Sequence, residues 1–152
     1  MLIVSEGEVA QGVREQMSAE GFSNFDLMPF QPMSQYPQVM GTGDVAILEE
    51  STGQFSVPSK VLSYLCAQRP ILMAAPADNP TSRMVTEAEA GLVVGPRDKS
   101  AFLQAARTLK SDDDLRAELA SNGRELAERA FNPSAIADRF ERLIAQISAG
   151  QA

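Results

Sequence analysis

The residue of this chain best suited to bind an anion is Lys60. It is the only basic residue between Arg14 and Arg69, and the same interval contains six carboxylates. The apolar spacing that follows predicts that Lys60 lies in the first turn of a helix, where the helix dipole disfavours a lone cation. A bound anion, such as a phosphate, would explain a lysine at that position. The alternative interpretation is a solvated surface lysine.

Lys60 is carried by a predicted strand, loop and helix. Val45–Leu48 is a short apolar run, which is typical of a buried strand in a parallel sheet. After a polar loop over 49–54, Ser56 is suited to be an N-cap and Pro58 to lie in the first turn of a helix from Ser59 to Gln68. The apolar stripe of that helix consists of Val61, Leu62, Leu65 and Cys66. Proteins of the α/β class hold anions with this layout, because free N–H groups at the helix start face the loop.

The composition excludes several kinds of site and partner. The chain has 152 residues, a net charge of −7 and no histidine. The charge argues against nucleic acid or an anionic membrane as the main partner. Without histidine there is no histidine-based triad and no His-ligated zinc. The single cysteine, Cys66, allows no disulfide, and its place on the helix stripe predicts a buried side chain. We therefore expect neither a metal nor a cofactor.

The hydrophobic content predicts a single folded domain over residues 1–152. Apolar residues make up 44% of the chain and charged residues 22%, as in an ordinary globular protein. No run approaches the roughly 20 apolar residues that span a bilayer, and no signal peptide precedes the first strand pattern. These features predict a cytoplasmic protein.

Strand and helix patterns alternate along the chain. Strands are predicted at Leu2–Val4, Phe25–Phe30, Val45–Leu48, Ile71–Ala74 and Leu92–Val94. Helices are predicted over 8–20 (on Val9, Val13 and Met17), from Ser34, from Asn79 to about Glu89, from Asp98, from Asp112 or Asp113, and from Asn132. The last carries Ile136, Phe140, Leu143, Ile144 and Ile147, while Gly21 and Gly91 are predicted helix stops. The alternation predicts an α/β fold with a Rossmann-like, doubly wound, mostly parallel sheet of about five strands and extra C-terminal helices. Ligands of such sheets lie beyond the carboxyl ends of the strands, here at 5–7, 30–32, 49–57 and 75–79.

Six segments in order resemble the donor-binding half of GT-B-fold glycosyltransferases. They read LIVSEG, LMPFQP, GDVAIL, FSVPSKVLSYLCAQRPILMAAPADNP, AEAGLVVGPRDKSAFLQAARTL and FNPSAIADRFERLI. The resemblance is closest to the retaining group 1 enzymes of bacterial capsule and colanic-acid synthesis, and it covers nearly the whole chain. It implies half of a GT-B fold that binds a nucleotide-diphosphate sugar for transfer to a polysaccharide or glycolipid acceptor.

The resemblance also implies roles for particular residues. Phe30 and Gln31 would meet the base through their backbone groups, and Glu50, or Glu49 beside it, would work near the donor sugar. The donor-binding residues would be Gln54, Phe55, Ser56, Val57, Ser59, Lys60 and Ser63. Ser63 stands where relatives carry a glutamate that holds both ribose hydroxyls, and a serine cannot bind two hydroxyls in that way. The alternative for Glu49 and Glu50 is a pair of solvated loop carboxylates.

Relatives begin this domain about one strand and one helix earlier and carry an acceptor-binding domain before it. We therefore expect a domain truncated at its amino terminus that is inactive without the missing part. An uncovered strand edge at Leu2–Val4 or a neighbour, together with an uncovered sheet face, would favour a homodimer. Two other functions remain open. One is a non-catalytic module that binds a nucleotide or nucleotide sugar, which Ser63 favours. The other is a nucleotide-sugar epimerase, which the lack of histidine disfavours.

Overall fold

The computed structural model describes residues 1–49 and 57–149, which fall into two compact units, Met1–Gly43 and Asp44–Ala152. The first unit contains strand β1 (Leu2–Val4), helix α1 (Gly7–Ala19), strand β2 (Asp26–Met28), a 3₁₀ turn (Met33–Gln35) and helix α2 (Tyr36–Gly41). β1 and β2 are parallel, with Ile3 opposite Leu27. The predicted strand at Leu2–Val4 is confirmed, and the second strand is shorter than predicted.

At helix α1 the predicted C-terminal stop is correct, but the predicted apolar stripe is not. Gly21 has φ +72°, and the N–H groups of Gly21 and Phe22 donate to the carbonyl oxygens of Ser18 and Met17. This is a Schellman ending, so the predicted stop at Gly21 is confirmed. The predicted stripe is shifted, because Ala10 is buried whereas Val9 is 73% exposed.

The predicted cap at Ser34 is wrong. Ser34 lies inside the 3₁₀ turn, and α2 begins after Gln35 without a side-chain cap. The chain enters α2 through another helical turn, so no extended residue precedes it to act as an N-cap.

The second unit alternates strands and helices and then continues in helices alone. Its elements are β3 (Ala46–Glu49), α3 (Val61–Cys66), β4 (Ile71–Ala74), α4 (Pro80–Glu87), β5 (Gly91–Val94), α5 (Lys99–Ser111), α6 (Asp113–Ala130) and α7 (Pro133–Ala149). The three strands form a parallel sheet in the order β3-β4-β5. The predicted α/β class and parallel pairing are confirmed. The described strands pair within two sheets, so a single sheet of five strands is not shown.

Both faces of the three-stranded sheet are covered. All four residues of the central strand β4 are buried. Ile71 and Met73 join a cluster with Val61, Leu65 and Val85 from α3 and α4. Leu72, which points to the other face, packs with Ala105 and Leu109 of α5 and Leu119 of α6. β3 departs from the buried strand that was predicted, because Ile47 is 45% exposed.

Four helix starts follow the predicted caps. The side chains of Asn79, Asp98 and Asp112 accept hydrogen bonds from the N–H groups of Thr81, Ala101 and Leu115, at 2.8, 2.9 and 2.9 Å respectively. Asn132 accepts one from Ser134 at 3.0 Å. Each bond satisfies a backbone donor that the helix itself leaves without a partner.

Two helix ends use a residue other than glycine in the left-handed region. Gln68 after α3 has φ 53° and Glu89 after α4 has φ 48°. The predicted stop at Gly91 is wrong, since α4 ends at Glu87 and Gly91 begins β5. Glycine is needed there because a Cβ would overlap the carbonyl oxygen of Ile71 in the adjacent strand.

Helix α6 contacts the ends of three other helices through its side chains. Arg116 donates to the carbonyl oxygen of Leu109 in α5 at 2.6 Å. Asn122 donates to the carbonyl of Glu89 after α4 at 3.2 Å, and Arg124 donates to the carbonyl of Cys66 at the end of α3 at 2.8 Å. These carbonyls lie in the last turns of their helices or just beyond, where helical partners are lacking.

Two apolar stripes are less buried than the sequence predicted. On α3, Val61 and Leu65 are buried, but Leu62 and Cys66 are exposed, so the prediction of a buried Cys66 is wrong. The two pairs are rotated by about 100° on the helix, and the sheet covers only one of them. On α7 every residue from 133 to 148 is exposed. Among the described residues, no helix is both long enough and apolar enough to cross a membrane.

Candidate functional site

The carboxyl edge of the β3-β4-β5 sheet forms the centre of the candidate site. Glu49 lies opposite Ala74, and Ala74 lies opposite Val94, so the three strands end in one row. The segments that begin at residues 75 and 95 therefore leave the sheet along the same edge, at which β3 ends with Glu49. Of the predicted residues, Glu49 is placed at this row by its backbone. Glu50, Gln54, Phe55 and Ser56 lie outside the described residues.

Lys60 lies one residue before helix α3. Val57, Ser59 and Lys60 are all exposed, and the N–H of Val61 donates to the carbonyl of Pro58 at 3.1 Å. The helix runs from Val61 to Cys66, so the predicted helix from Ser59 to Gln68, with Pro58 in its first turn, is too long. Lys60 occupies the N-cap position and makes no side-chain cap. A helix of six residues has fewer than two turns, so its dipole contributes less to anion binding than the sequence suggested.

Ser63 lies three residues after Lys60 and is half-buried. Residues three apart are neighbours on a helix surface, so the two side chains start from one side of α3. Val61 and Leu65 form the buried side of the helix. The structure thus places Ser63 and Lys60 three residues apart at the start of α3.

Sequence reasoning missed a buried polar group at the start of α4. Asn79, Thr81 and Ser82 are each no more than 1% exposed. In the described part of the chain, the hydroxyl oxygens of Thr81 and Ser82 have no hydrogen-bond partner. A buried polar group without a partner costs about 1–3 kcal/mol, so these hydroxyls are unusual. The run Asn79-Pro80-Thr81-Ser82 contains these polar residues, but its pattern predicts only a helix start and not their burial.

The electrostatics of this edge include one perturbed carboxylate. Asp98, which follows β5 by four residues, has its pKa lowered by hydrogen bonds from the backbone N–H of Ala101 and the hydroxyl of Ser100. Both donors favour the charged form of the carboxylate. Within the described ranges, no group of three or more His, Cys, Asp or Glu side chains is arranged to hold a metal ion.

Phe30 and Gln31 belong to the first unit and follow β2. The side chain of Phe30 is 63% exposed, but its backbone N–H donates to the carboxylate of Glu6 at 2.9 Å. The amide of Gln31 donates to the carbonyl of Pro29, also at 2.9 Å. The backbone donor that the predicted base contact would use at Phe30 is therefore already engaged.

Two open grooves lie elsewhere on the units. In the first unit, a groove of about 630 Å³ is lined by Ser5 and Pro29, which follow the two strands, and by one side of α1 including Arg14. In the second unit, a groove of about 420 Å³ lies between α4 and α6, with Arg83 and Arg129 among its lining residues. Neither groove is lined by Lys60 or Ser63.

Comparisons with known proteins give no family assignment. No family model matches the chain. No curated sequence matches it either. The resemblance to glycosyltransferases therefore remains a prediction from the six sequence segments.

Proposed function

We propose that the chain is the donor-binding half of a retaining glycosyltransferase and that it binds a nucleotide-diphosphate sugar. The observation that best supports the proposal is the common row of Glu49, Ala74 and Val94 at the carboxyl edge of a parallel sheet. Parallel α/β sheets bind their ligands beyond this edge. The six ordered sequence segments supply the class of ligand.

The proposal gives each residue a role. Lys60 donates to the diphosphate and neutralises its charge, which is the main requirement when a diphosphate leaves. Ser63 makes a single hydrogen bond to the ribose, and Glu49 or Glu50 acts near the donor sugar. The resemblance assigns Phe30 and Gln31 of the first unit to the base. Under this proposal the fold is half of a GT-B fold with a doubly wound sheet of about five strands.

Transfer would need a second partner. Enzymes of this kind position donor and acceptor together in a cleft between two domains, and positioning accounts for much of their rate. We therefore expect this chain alone to bind a nucleotide diphosphate weakly and to transfer little sugar without an acceptor-binding domain.

A non-catalytic binding module is the second candidate. Ser63 favours it, because one hydroxyl replaces a carboxylate that would bind two ribose hydroxyls. A complex with an acceptor-binding domain that transfers sugar would exclude this candidate.

Calorimetric titration with UDP, ADP, GDP and free pyrophosphate tests the phosphate role of Lys60. Lys60→Ala should weaken nucleoside diphosphate binding by about 10- to 150-fold, because a charge-assisted hydrogen bond contributes roughly 1.5–3 kcal/mol. Lys110→Ala, which removes an equal charge from an exposed position in the last turn of α5, away from the carboxyl edge of the sheet, should leave affinity nearly unchanged. Equal affinity of wild type and Lys60→Ala would exclude the proposed role.

Substitution of Ser63 tests the ribose contact separately. Ser63→Glu should tighten the binding of nucleoside diphosphates and leave pyrophosphate binding unchanged, because only the former carry a ribose. Ser121→Glu on the exposed side of α6 controls for the added charge. If both ligands change together, Ser63 does not lie at the ribose.

A further inference from the structure

Helix α7 carries an apolar stripe that the other described elements of the second unit leave uncovered. Ile136, Phe140, Leu143, Ile144 and Ile147 are 37%, 65%, 55%, 62% and 57% exposed. A helix of 17 residues is only marginally stable in water unless its apolar side packs against something. The stripe therefore requires a partner surface.

The spacing of the stripe indicates what that surface is. Ile136, Phe140, Leu143 and Ile147 follow one another at steps of four, three and four, which is the seam of a coiled coil. The series is the same when it is counted from either end. A helix of this kind is complementary to an antiparallel copy of itself.

We propose that two copies of the chain pair through antiparallel α7 helices and form a two-fold dimer. With the axis between Phe140 and Leu143, Phe140 lies opposite Leu143 of the second copy, and Ile136 lies opposite Ile147 of the second copy. Each of the four seam residues thus meets an apolar residue. This is the isologous arrangement that most homodimers use.

The area of the stripe fits the needs of such a dimer. Five large side chains with these exposures present roughly 500 Å² of apolar surface. This is near the upper end of the area that a typical monomer exposes in its largest apolar patch. A standard interface buries about 800 Å² per partner, of which about two-thirds is apolar in homodimers. The stripe supplies nearly all of that apolar share.

The charge of the helix permits the pairing. Each copy carries a net charge of −7, so two copies repel one another over most orientations. Helix α7 contains two acidic residues, Asp138 and Glu141, and two basic residues, Arg139 and Arg142. Their charges cancel, and the segment adds no repulsion to the contact.

This α7 dimer is independent of the proposed function and differs from the strand-edge dimer that the sequence predicted.

Sedimentation velocity over roughly 1–200 µM should show a wild-type dimer that dissociates on dilution. Phe140→Glu, alone and with Ile147→Glu, should raise the dissociation constant by at least about 100-fold, because each places two charges in the seam. The matched control is Leu103→Glu on α5, which replaces a side chain that is 54% exposed and should leave the dimer intact.

Far-UV circular dichroism of the variants checks that the rest of the fold is retained, which we expect because the substituted side chains are exposed. Loss of helical signal beyond the 17 residues of α7, which is unpaired in a monomer, would indicate unfolding instead. A wild type that remains monomeric at 200 µM overturns the inference. A dimer that is unaffected by Phe140→Glu also overturns it and indicates pairing through another surface, such as a strand edge.

Spin labels at residue 134 test the direction of pairing. In a Cys66→Ser background, Ser134→Cys carries the label near the start of α7. Residue 134 is two positions before Ile136, so it lies on the side of α7 away from the seam, and in either direction of pairing the two labelled sites are about 14 Å apart across the pair. Antiparallel pairing about the stated axis adds an offset of 15 residues, about 22 Å along the helix, which gives about 26 Å between the two Cα atoms. Parallel pairing lacks that offset, so a separation of about 14 Å would overturn the antiparallel arrangement.

Discussion

The carboxylate of Glu6 accepts a hydrogen bond from the backbone N–H of Phe30 at 2.9 Å. Glu6 is the residue before α1, where a side chain would be expected to cap the helix, but it makes no such cap. Its carboxylate is used instead to join the end of β1 to the second residue after β2. The contact holds the loop after β2 in place. In the proposed function, this loop meets the base of the nucleotide.

Glu6→Ala should free the N–H of Phe30. The bond is exposed to water, which weakens a charge-assisted contact, so its contribution is about 0.5–1.5 kcal/mol and the Phe30 amide should exchange with solvent roughly 2- to 12-fold faster. Amide exchange followed by NMR measures the change. Glu6→Gln keeps an acceptor oxygen and should have a smaller effect, and Glu8→Ala in the first turn of α1 should have none at Phe30. Unchanged exchange in Glu6→Ala would show that the bond does not persist in solution.

Gly91→Ala should disrupt the pairing of β4 with β5. A Cβ at this position overlaps the carbonyl oxygen of Ile71, and the backbone of a buried central strand cannot move away cheaply. We expect a loss of about 3 kcal/mol or more in the free energy of unfolding, measured with urea. Gly95→Ala is the control, because its nearest neighbour would be the Cβ of Asp98 at an ordinary 3.8 Å. Similar losses in the two variants would contradict the steric explanation.

Gln68→Gly and Glu89→Gly should each stabilise the second unit. Both residues have positive φ, where a side chain is strained and glycine is not. We expect a gain of about 0.5–1 kcal/mol per substitution, visible as a higher Tm. Gly21→Ala, which places a side chain at φ +72°, should lose a similar amount. A drop in Tm for both glycine variants would mean that these side chains make contacts that outweigh the strain.

Asp98 should make stability depend on pH in the acid range. Its folded-state pKa is lowered by the Ala101 N–H and the Ser100 hydroxyl. The contribution is therefore complete above the unfolded pKa of about 3.9 and is lost as the pH falls through the lower folded value. Asp98→Asn keeps a capping oxygen without the charge. The stability difference between wild type and Asp98→Asn, from urea titrations between about pH 3 and 7, should shrink at the acid end. A difference that is constant across this range would contradict the prediction.

The sequence predicted the features that depend on neighbouring residues. The caps at Asn79, Asp98, Asp112 and Asn132 were correct because a cap involves only the next two or three backbone N–H groups. The stop at Gly21 was correct for the same reason.

Features that depend on distant partners were predicted less well. The exposed Cys66 and the exposed stripe of α7 were misjudged because periodicity shows that a helix has an apolar side but not what covers it. Gly91 was misread as a helix stop because its steric constraint comes from Ile71, twenty residues earlier in the chain.

The candidate site was predictable only in outline. Strand alternation correctly indicated the edge at which Glu49 lies. The start of α3 was misplaced, because Pro58 and Ser59 suggested an earlier first turn than the one at Val61. The buried hydroxyls of Thr81 and Ser82 went unnoticed, since burial of a short polar side chain depends on packing that no local pattern records.

The contacts of α6 have a consequence for synthesis on the ribosome. Helices α3 and α4 leave the exit tunnel well before Asn122 and Arg124, which bond to the carbonyls of Glu89 and Cys66. At about 5–20 residues per second, the ends of both helices stay hydrated for several seconds until α6 has been made. Gly123, packed against Leu65 and Ala90, closes the same gap between the two helices. A nascent chain that stops before residue 122 would lack the side chains that bond to the ends of α3 and α4, so we expect this unit to complete its fold only after α6 has left the tunnel.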